Sequence, residues 1–176
     1  GYRLEWWGEY KSSADAQGAL ASKIRIFVIA MVLITIALFN SLKQTAVIWL
    51  VVPLAVIGVT VGLLVTNQPF GFMATLGFLS LSGMLIKNAI VLVDEINLQR
   101  LEDKPEIRAI TEAAVSRLRP VMMAAATTIL GMAPLFPDAF FVSMAVTIAF
   151  GLGFATLLTM IVVPVLYATL YRIKAS

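Results

Sequence analysis

Long apolar runs separated by short polar breaks constrain this chain more than any other feature. A helix needs about 20 mostly apolar residues to cross the hydrocarbon core of a bilayer. Inside lipid, a helix also satisfies its own backbone N–H and C=O groups without water. We therefore predict an all-α integral membrane protein whose five transmembrane helices cover residues 23–40, 45–66, 71–93, 120–136 and 140–171.

The composition agrees with this class and excludes several others. Apolar residues make up 60% of the chain, whereas soluble proteins are roughly half apolar. The chain has no Cys and no His, which removes thiol nucleophiles, imidazole bases and the usual zinc ligands. The predicted spans also contain no carboxylate pair. We therefore expect no enzyme activity, no metal site and no organic cofactor, with the lipid bilayer as surroundings and no nucleic-acid partner.

Three segments lie outside the predicted spans. Residues 1–22 are polar, lack the order of a signal peptide and are predicted to end a larger periplasmic region. Residues 94–119 are predicted to form an amphipathic connector helix at the membrane surface, because apolar residues recur at helical spacing after Pro105. Asp103 is placed to cap that helix. Residues 172–176 form a short tail.

The basic residues of the breaks predict the orientation. Segment 94–119 contains five Lys or Arg side chains, the 41–44 break has Lys43, and the tail adds Arg172 and Lys174. The breaks at 67–70 and 137–139 contain neither Lys nor Arg. Because short cytoplasmic loops are enriched in Lys and Arg, we predict that 94–119 and the C-terminus are cytoplasmic. Residues 1–22 are then outside.

Lys87 is the one charged residue well inside a predicted span, and Asn88 follows it. An ammonium group at this depth costs several kcal/mol and usually marks a functional site. Snorkelling is the alternative, since the end of the span is about 10 Å away at helical rise. The helix stripe around Lys87 contains small or polar side chains, and no predicted span supplies a carboxylate partner. The members of this stripe are Ser80, Gly83, Met84, Lys87 and Asp94.

Small and hydroxyl-bearing residues mark further helix faces. Thr127 and Thr128 form either a polar seam beside Lys87 or a pair of hydroxyls bonded to their own backbone. Small residues at i, i+4 spacing are typical of close helix packing in membranes, and Trp49, Tyr167 and Tyr171 suit interfacial belts. The predicted packing residues are Gly58, Gly62, Ser80, Gly83, Gly151 and Ala155.

Several motifs, in the right order, resemble the resistance-nodulation-division (RND) efflux transporters. Residues 77–95, with Lys87-Asn88 and Asp94-Glu95, are similar to the tenth transmembrane helix of that family. Arg117-Leu-Arg119-Pro120 resembles the start of the eleventh helix. Residues 52–58, 131–135 and 153–167 resemble parts of the ninth, eleventh and twelfth helices, and residues 6–9 resemble the end of the second periplasmic region.

The resemblance implies that this chain supplies helices 8–12 of a twelve-helix transporter. It implies a proton relay in which Lys87 pairs with carboxylates on an Asp-bearing helix absent here, with protons as the coupling ion. It also assigns a functional role to Arg117. Where the family commonly has Thr, this chain has Ala124, and Thr128, one turn on, is the candidate substitute. We group Lys87, Asn88, Arg117, Thr127 and Thr128 as the predicted relay residues.

The resemblance also implies partners and a location. Such pumps are homotrimers of the Gram-negative inner membrane that work with a periplasmic adaptor and an outer-membrane channel. The function it implies is proton-driven multidrug efflux of the hydrophobe/amphiphile type. The alternative is a membrane scaffold or protein-translocation component of the same superfamily, because one helix architecture hosts several functions.

Overall fold

The computed structural model describes residues 9–101 and 105–171. These residues form six α-helices and one short 3₁₀ turn at Ala133–Leu135, and they contain no strand. The predicted cap at Asp103, residues 1–8 and the tail at 172–176 lie outside the described residues. The helices are α1 (Glu9–Phe39), α2 (Leu42–Trp49), α3 (Val51–Val65), α4 (Phe72–Arg100), α5 (Glu106–Gly131) and α6 (Val142–Leu170).

Five helical segments of the described residues are long and apolar enough to cross a membrane. This finding confirms the all-α class and the number of predicted spans. Each segment overlaps one predicted span, because the length of an uninterrupted apolar run is a local property of the sequence. The five segments are Ser22–Phe39, Leu42–Val65, Phe72–Arg100, Glu106–Leu135 and Val142–Leu170.

The chain divides into two compact units, residues 1–40 and residues 41–176. The described part of the first unit is α1, which is continuous from Glu9 across the predicted boundary at residue 22. Asn40 ends this unit with a φ of 45°. This left-handed conformation suits Asn better than most residues, because its short polar side chain tolerates it.

The second predicted span, 45–66, is interrupted near its start. Helix α2 ends at Trp49 and α3 begins at Val51. Pro53 explains the break, because it has no N–H to donate to the carbonyl four residues earlier, that of Trp49. Leu50 joins the two pieces with helical backbone angles (φ −66°, ψ −15°), so the chain stays close to one direction and still spans as one segment.

The connector at 94–119 differs from the predicted separate helix. Helix α4 continues without a break to Arg100, and α5 starts at Glu106 and continues past Pro120 to Gly131. Residues 94–100 and 106–119 are therefore the ends of two long helices. The prediction placed a helix boundary at Pro120, whereas α5 is continuous through this proline, even though an interior proline removes one backbone hydrogen bond and crowds the preceding turn.

Helix α6 lies at the centre of the second unit and contacts α3, α4 and α5. Its contact with α3 is close because both helices have glycines there. A Cβ atom on Gly58 would lie 2.6 Å from the Cβ of Phe154 and 2.8 Å from the carbonyl oxygen of Phe150. One on Gly151 would overlap the side chains of Leu81 and Val59. The backbones of α3 and α6 therefore approach to a distance that larger side chains would prevent.

Candidate functional site

Lys87 lies on a face of α4 that no other described residue of the second unit, within residues 41–101 and 105–171, covers. Ser80, Gly83, Lys87 and Asp94 are all exposed, and Met84 is half-buried. The opposite face of α4 is fully buried, with Leu81, Leu85, Ala89 and Leu92 at 0% exposure. The predicted stripe is thus a real surface, which we call the Lys87 face. A Cβ atom on Gly83 would meet no atom within 4 Å.

Lys87 has no hydrogen bond or ion pair to any residue that the structure describes. The same holds, within residues 9–101 and 105–171, for the neighbouring Asn88 and for Asp94. An unpaired ammonium group within a membrane helix is costly. The Lys87 face therefore offers a positive charge, flanked by small residues, to whatever packs on it.

Thr127 and Thr128 lie on α5, and their hydroxyl groups are bonded to their own helix. Thr128 donates to the carbonyl oxygen of Ala124 at 2.8 Å, and Thr127 donates to those of Met123 and Ala124 at 3.0 Å each. This is the backbone-bonded arrangement that serine and threonine adopt within helices. The structure therefore does not join these hydroxyls to Lys87, and their part in a relay stays a prediction.

Arg117 is held by Glu95 across the contact between α5 and α4. Its Nε donates to Oε2 of Glu95 at 3.0 Å, and its Nη2 donates to the same oxygen. The other carboxylate oxygen, Oε1, accepts a hydrogen bond from Gln99 at 3.2 Å. Glu95 is eight residues after Lys87, about 12 Å along the helix axis. The structure therefore places Arg117 away from Lys87 and pairs it with a residue that the sequence did not single out.

A second polar group, which we call the Tyr167 cluster, joins the end of α6 to α4. Tyr167, predicted for an interfacial belt, is fully buried, and its hydroxyl donates to Oδ1 of Asn97 at 2.9 Å. Asn97 also exchanges two amide hydrogen bonds with Gln44 of α2, at 3.0 and 3.2 Å. Arg100 donates to the Tyr167 hydroxyl at 3.1 Å and to Glu106 of α5 at 2.7 Å. Asn97 and Gln44 lie in polar stretches at the ends of their helices, so no separate sequence signal marks this cluster.

The cluster brings together the segments predicted to share the cytoplasmic side. Nζ of Lys43 lies 5.5 Å from the ring centre of Tyr171, and the guanidinium of Arg100 lies 5.4 Å from it. The 41–44 break, the end of α4 and the end of α6 therefore meet at one end of the second unit. This arrangement agrees with the order of the predicted spans.

The predicted packing residues separate into two groups. Gly58 and Gly62 of α3 lie against Phe150 and Phe154 of α6, and Gly151 lies against α3 and α4. Ala155 is also fully buried. Ser80 and Gly83 are instead exposed on the Lys87 face. Within the described residues of the second unit only the first group packs against another helix, so the second is available to a further element.

The described residues contain no group of three or more acidic, His or Cys side chains that could hold a metal ion. A cavity of about 480 Å³ lies between α5 and α6, and its lining is almost entirely apolar. Thr156 contributes to the lining, but its hydroxyl is buried and has no hydrogen-bond partner among the described residues. The cavity holds no charged side chain, so the Lys87 face is the stronger functional candidate.

These features define a class: a helical protein of several membrane spans, with one lysine on an uncovered face of small residues. The sequence matches the AcrB/AcrD/AcrF family over residues 1–171. The chain belongs to this family of RND transporters, as its motifs indicated.

The relatives include proteins named for resistance to metals and for resistance to drugs. The chain is 32% identical over 173 residues to the nickel and cobalt resistance protein CnrA of Cupriavidus metallidurans, covering 94% of this chain and 16% of CnrA. It is 32% identical over 143 residues to the multidrug resistance protein MdtC of Erwinia amylovora, covering 78% of this chain and 14% of MdtC.

A solved structure confirms the similarity of the fold. The crystal structure of a heavy metal efflux pump superposes with a TM-score of 0.79 at 29% sequence identity, covering 94% of this chain and 17% of the pump. The chain therefore spans about a sixth of the length of these relatives.

Proposed function

We propose that this chain forms helices 8–12 of a proton-driven efflux transporter and that Lys87 is its relay lysine. The observation that carries the proposal is the Lys87 face, which has an unpaired ammonium group and no covering element among the described residues of the second unit. A transporter of the family provides the missing element, because the chain corresponds to only a part of its relatives.

The face has the shape and charge to receive an acid-bearing helix. Gly83 and Ser80 leave room for close approach of a second backbone. The Lys87 ammonium then stabilises ionised carboxylates on that helix. When a carboxylate takes up a proton, the attraction is weakened and the population of helix arrangements shifts, because the two states are stabilised differently. Asn88, Arg117, Thr127 and Thr128 are included in this proposal as supporting relay residues.

The proposal extends to the assembly. The chain acts within a homotrimer of the Gram-negative inner membrane, with its C-terminus in the cytoplasm, a periplasmic adaptor and an outer-membrane channel as partners. Protons are its coupling ion, and it has no enzyme activity and no metal or organic cofactor. The RND family supports the trimer and its two partners, and the five apolar helices support a multi-pass protein.

Multidrug export is the substrate class that we propose, and metal-ion export is the second candidate. The similarity to MdtC supports the first. The similarity to CnrA and to a heavy metal efflux pump favours the second. The membrane site itself is compatible with both substrate classes. In this proposal the Lys87 face contacts the carboxylates that take up protons, and it does not contact the exported molecule. A scaffold or protein-translocation role is the remaining alternative, because one helix architecture hosts several functions.

Replacement of Lys87 by Met in the complete transporter tests the proposal. We expect normal insertion and trimer formation but loss of export for both an amphiphilic dye and Ni²⁺ or Co²⁺, whichever the wild type transports. Arg108→Met is the control, since Arg108 is an exposed cation on α5 without a partner among the described residues. Normal export by a normally inserted Lys87→Met protein would exclude the relay. The wild-type substrate profile decides between drug and metal.

A further inference from the structure

The hydroxyl of Tyr167 connects two helices by hydrogen bonds and is not a surface group. It donates to Oδ1 of Asn97 at 2.9 Å and accepts a hydrogen bond from Nη1 of Arg100 at 3.1 Å. Both partners are on α4, whereas Tyr167 is on α6 and is fully buried. The loss of this hydroxyl would remove both hydrogen bonds between Tyr167 and α4, while Asn97 would keep its bonds to Gln44 and Arg100 its bond to Glu106.

The Tyr167 cluster continues into two more helices. Asn97 pairs with Gln44 of α2 through both amide groups, and Arg100 pairs with Glu106, the first residue of α5. The Tyr167 ring stacks on that of Tyr171, with ring centres 4.6 Å apart. One end of α4 is therefore bonded to α2, α5 and α6 at the same level.

These bonds restrict how α4 moves. Hydrogen bonds keep their strength only between about 2.7 and 3.2 Å. Sliding of α4 along α6 by even half a helical turn, about 2.7 Å, would break the bonds at Asn97 and Arg100 together. Tilting or translation of α2, α4 and α6 as one group would break none of the bonds among Gln44, Asn97, Arg100 and Tyr167.

Lys87 lies ten residues before Asn97 on the same uninterrupted helix, about 15 Å along its axis. The position of the cluster therefore fixes the depth of Lys87 relative to α6. Helix α4 has no proline between the two residues, and prolines are the usual cause of sharp kinks.

We propose that Tyr167 is a positioning residue that fixes α4 to α2 and α6, so that the Lys87 face moves in transport only together with these helices. The inference rests on the proposed relay function of Lys87. It adds that the relay acts on a group of helices and not on α4 alone.

Distance measurements in the complete transporter test this proposal. Two spin labels are attached at Leu98→Cys on α4 and Thr169→Cys on α6, which are exposed positions outside the cluster; the chain itself contains no Cys. Distances are recorded in vesicles with and without an inward proton gradient. We expect one narrow distribution that the gradient does not change, and a broader or shifted distribution in Tyr167→Phe.

Export kinetics provide the second measurement. Tyr167→Phe keeps the stacked ring, so we expect normal assembly, a maximal export rate lowered by about fivefold, and an unchanged half-saturating substrate concentration. Tyr171→Phe is the matched control, because the Tyr171 hydroxyl has only a 3.5 Å contact with Ser41. It should match the wild type in both measurements. Asn97→Ala serves as the second variant if Tyr167→Phe assembles poorly.

Two results would overturn the positioning role. One is a wild-type distance that shifts by several Å when the gradient is applied, since α4 would then move against α6. The other is an unchanged distribution in the variants of Tyr167 and Asn97. The Lys87→Met experiment is independent of both, so failure of the relay and failure of the positioning role are distinguishable.

Discussion

Arg117 donates two hydrogen bonds to a single carboxylate oxygen of Glu95, from Nε and from Nη2. The Glu95 side chain is 14% exposed and that of Arg117 is 34% exposed. The pair joins α4 to α5 a few residues beyond the predicted membrane span. It therefore assigns Arg117 a structural contact that its family resemblance alone did not indicate.

The energy of this pair is measurable with a double-mutant cycle. We expect Glu95→Gln and Arg117→Gln to be non-additive, with a coupling of about 1 kcal/mol in thermal unfolding, because the pair is only partly shielded from solvent. Asp94→Asn is the control, since Asp94 is exposed and has no partner among the described residues. Full additivity would mean that the pair does not form in the assembled transporter.

The glycine at position 58 should be intolerant of even one methyl group. A Cβ there lies 2.6 Å from that of Phe154, so Gly58→Ala is expected to lower the free energy of unfolding by about 1–3 kcal/mol. Thermal unfolding of the purified transporter measures this. Gly131→Ala is the matched control, because a Cβ at Gly131 meets no atom within 4 Å. Equal stability of the two variants would contradict the close contact of α3 and α6.

The glycine at position 83 should respond in a different way. No described residue lies within 4 Å of a Cβ atom at Gly83, so Gly83→Leu has room at this position on α4. It does fill the Lys87 face, where we propose that an acid-bearing helix docks. We expect export to fall at least tenfold, since a shift of about 1.4 kcal/mol in docking suffices.

Leu79→Val, at a half-buried position of the same helix, is the control for altered side-chain shape on α4. Export is compared at matched amounts of inserted protein. Wild-type export by Gly83→Leu would show that the Lys87 face remains uncovered in the working transporter.

Substitution of Thr127 and Thr128 on α5 tests whether their hydroxyl groups take part in the relay or only bond to their own helix. Thr128→Val removes a hydroxyl whose hydrogen bond is to Ala124 of its own helix, so the stability should change by less than about 1 kcal/mol. If Thr128 is part of the relay, export falls several-fold at unchanged stability, and Thr127→Val gives a similar result.

The control for this pair is Thr169→Val. Thr169 makes the same kind of bond, to the carbonyl oxygen of Val165 at 2.8 Å, and it has no proposed function. Export and thermal unfolding are recorded for all three variants. Wild-type export by both Thr127→Val and Thr128→Val would remove them from the relay.

The sequence by itself determined the five spans and showed that none of them supplies a carboxylate partner for Lys87. Both depend on local properties, namely the length of an apolar run and the absence of carboxylates within the runs. The motifs around Lys87 and Arg117 were also sufficient to indicate the family. Helix boundaries were less well determined at Leu50 and Pro120, because a proline breaks or continues a helix according to the contacts around it.

Only the tertiary structure decided which side chains meet. Glu95 as the partner of Arg117, the burial of Tyr167 and the uncovered side of α4 each depend on contacts between segments far apart in the sequence. An apolar helix in a membrane lacks a strong hydrophobic preference for one face. Its neighbours are therefore selected by close packing and by a few hydrogen bonds, which no local pattern of apolar residues specifies.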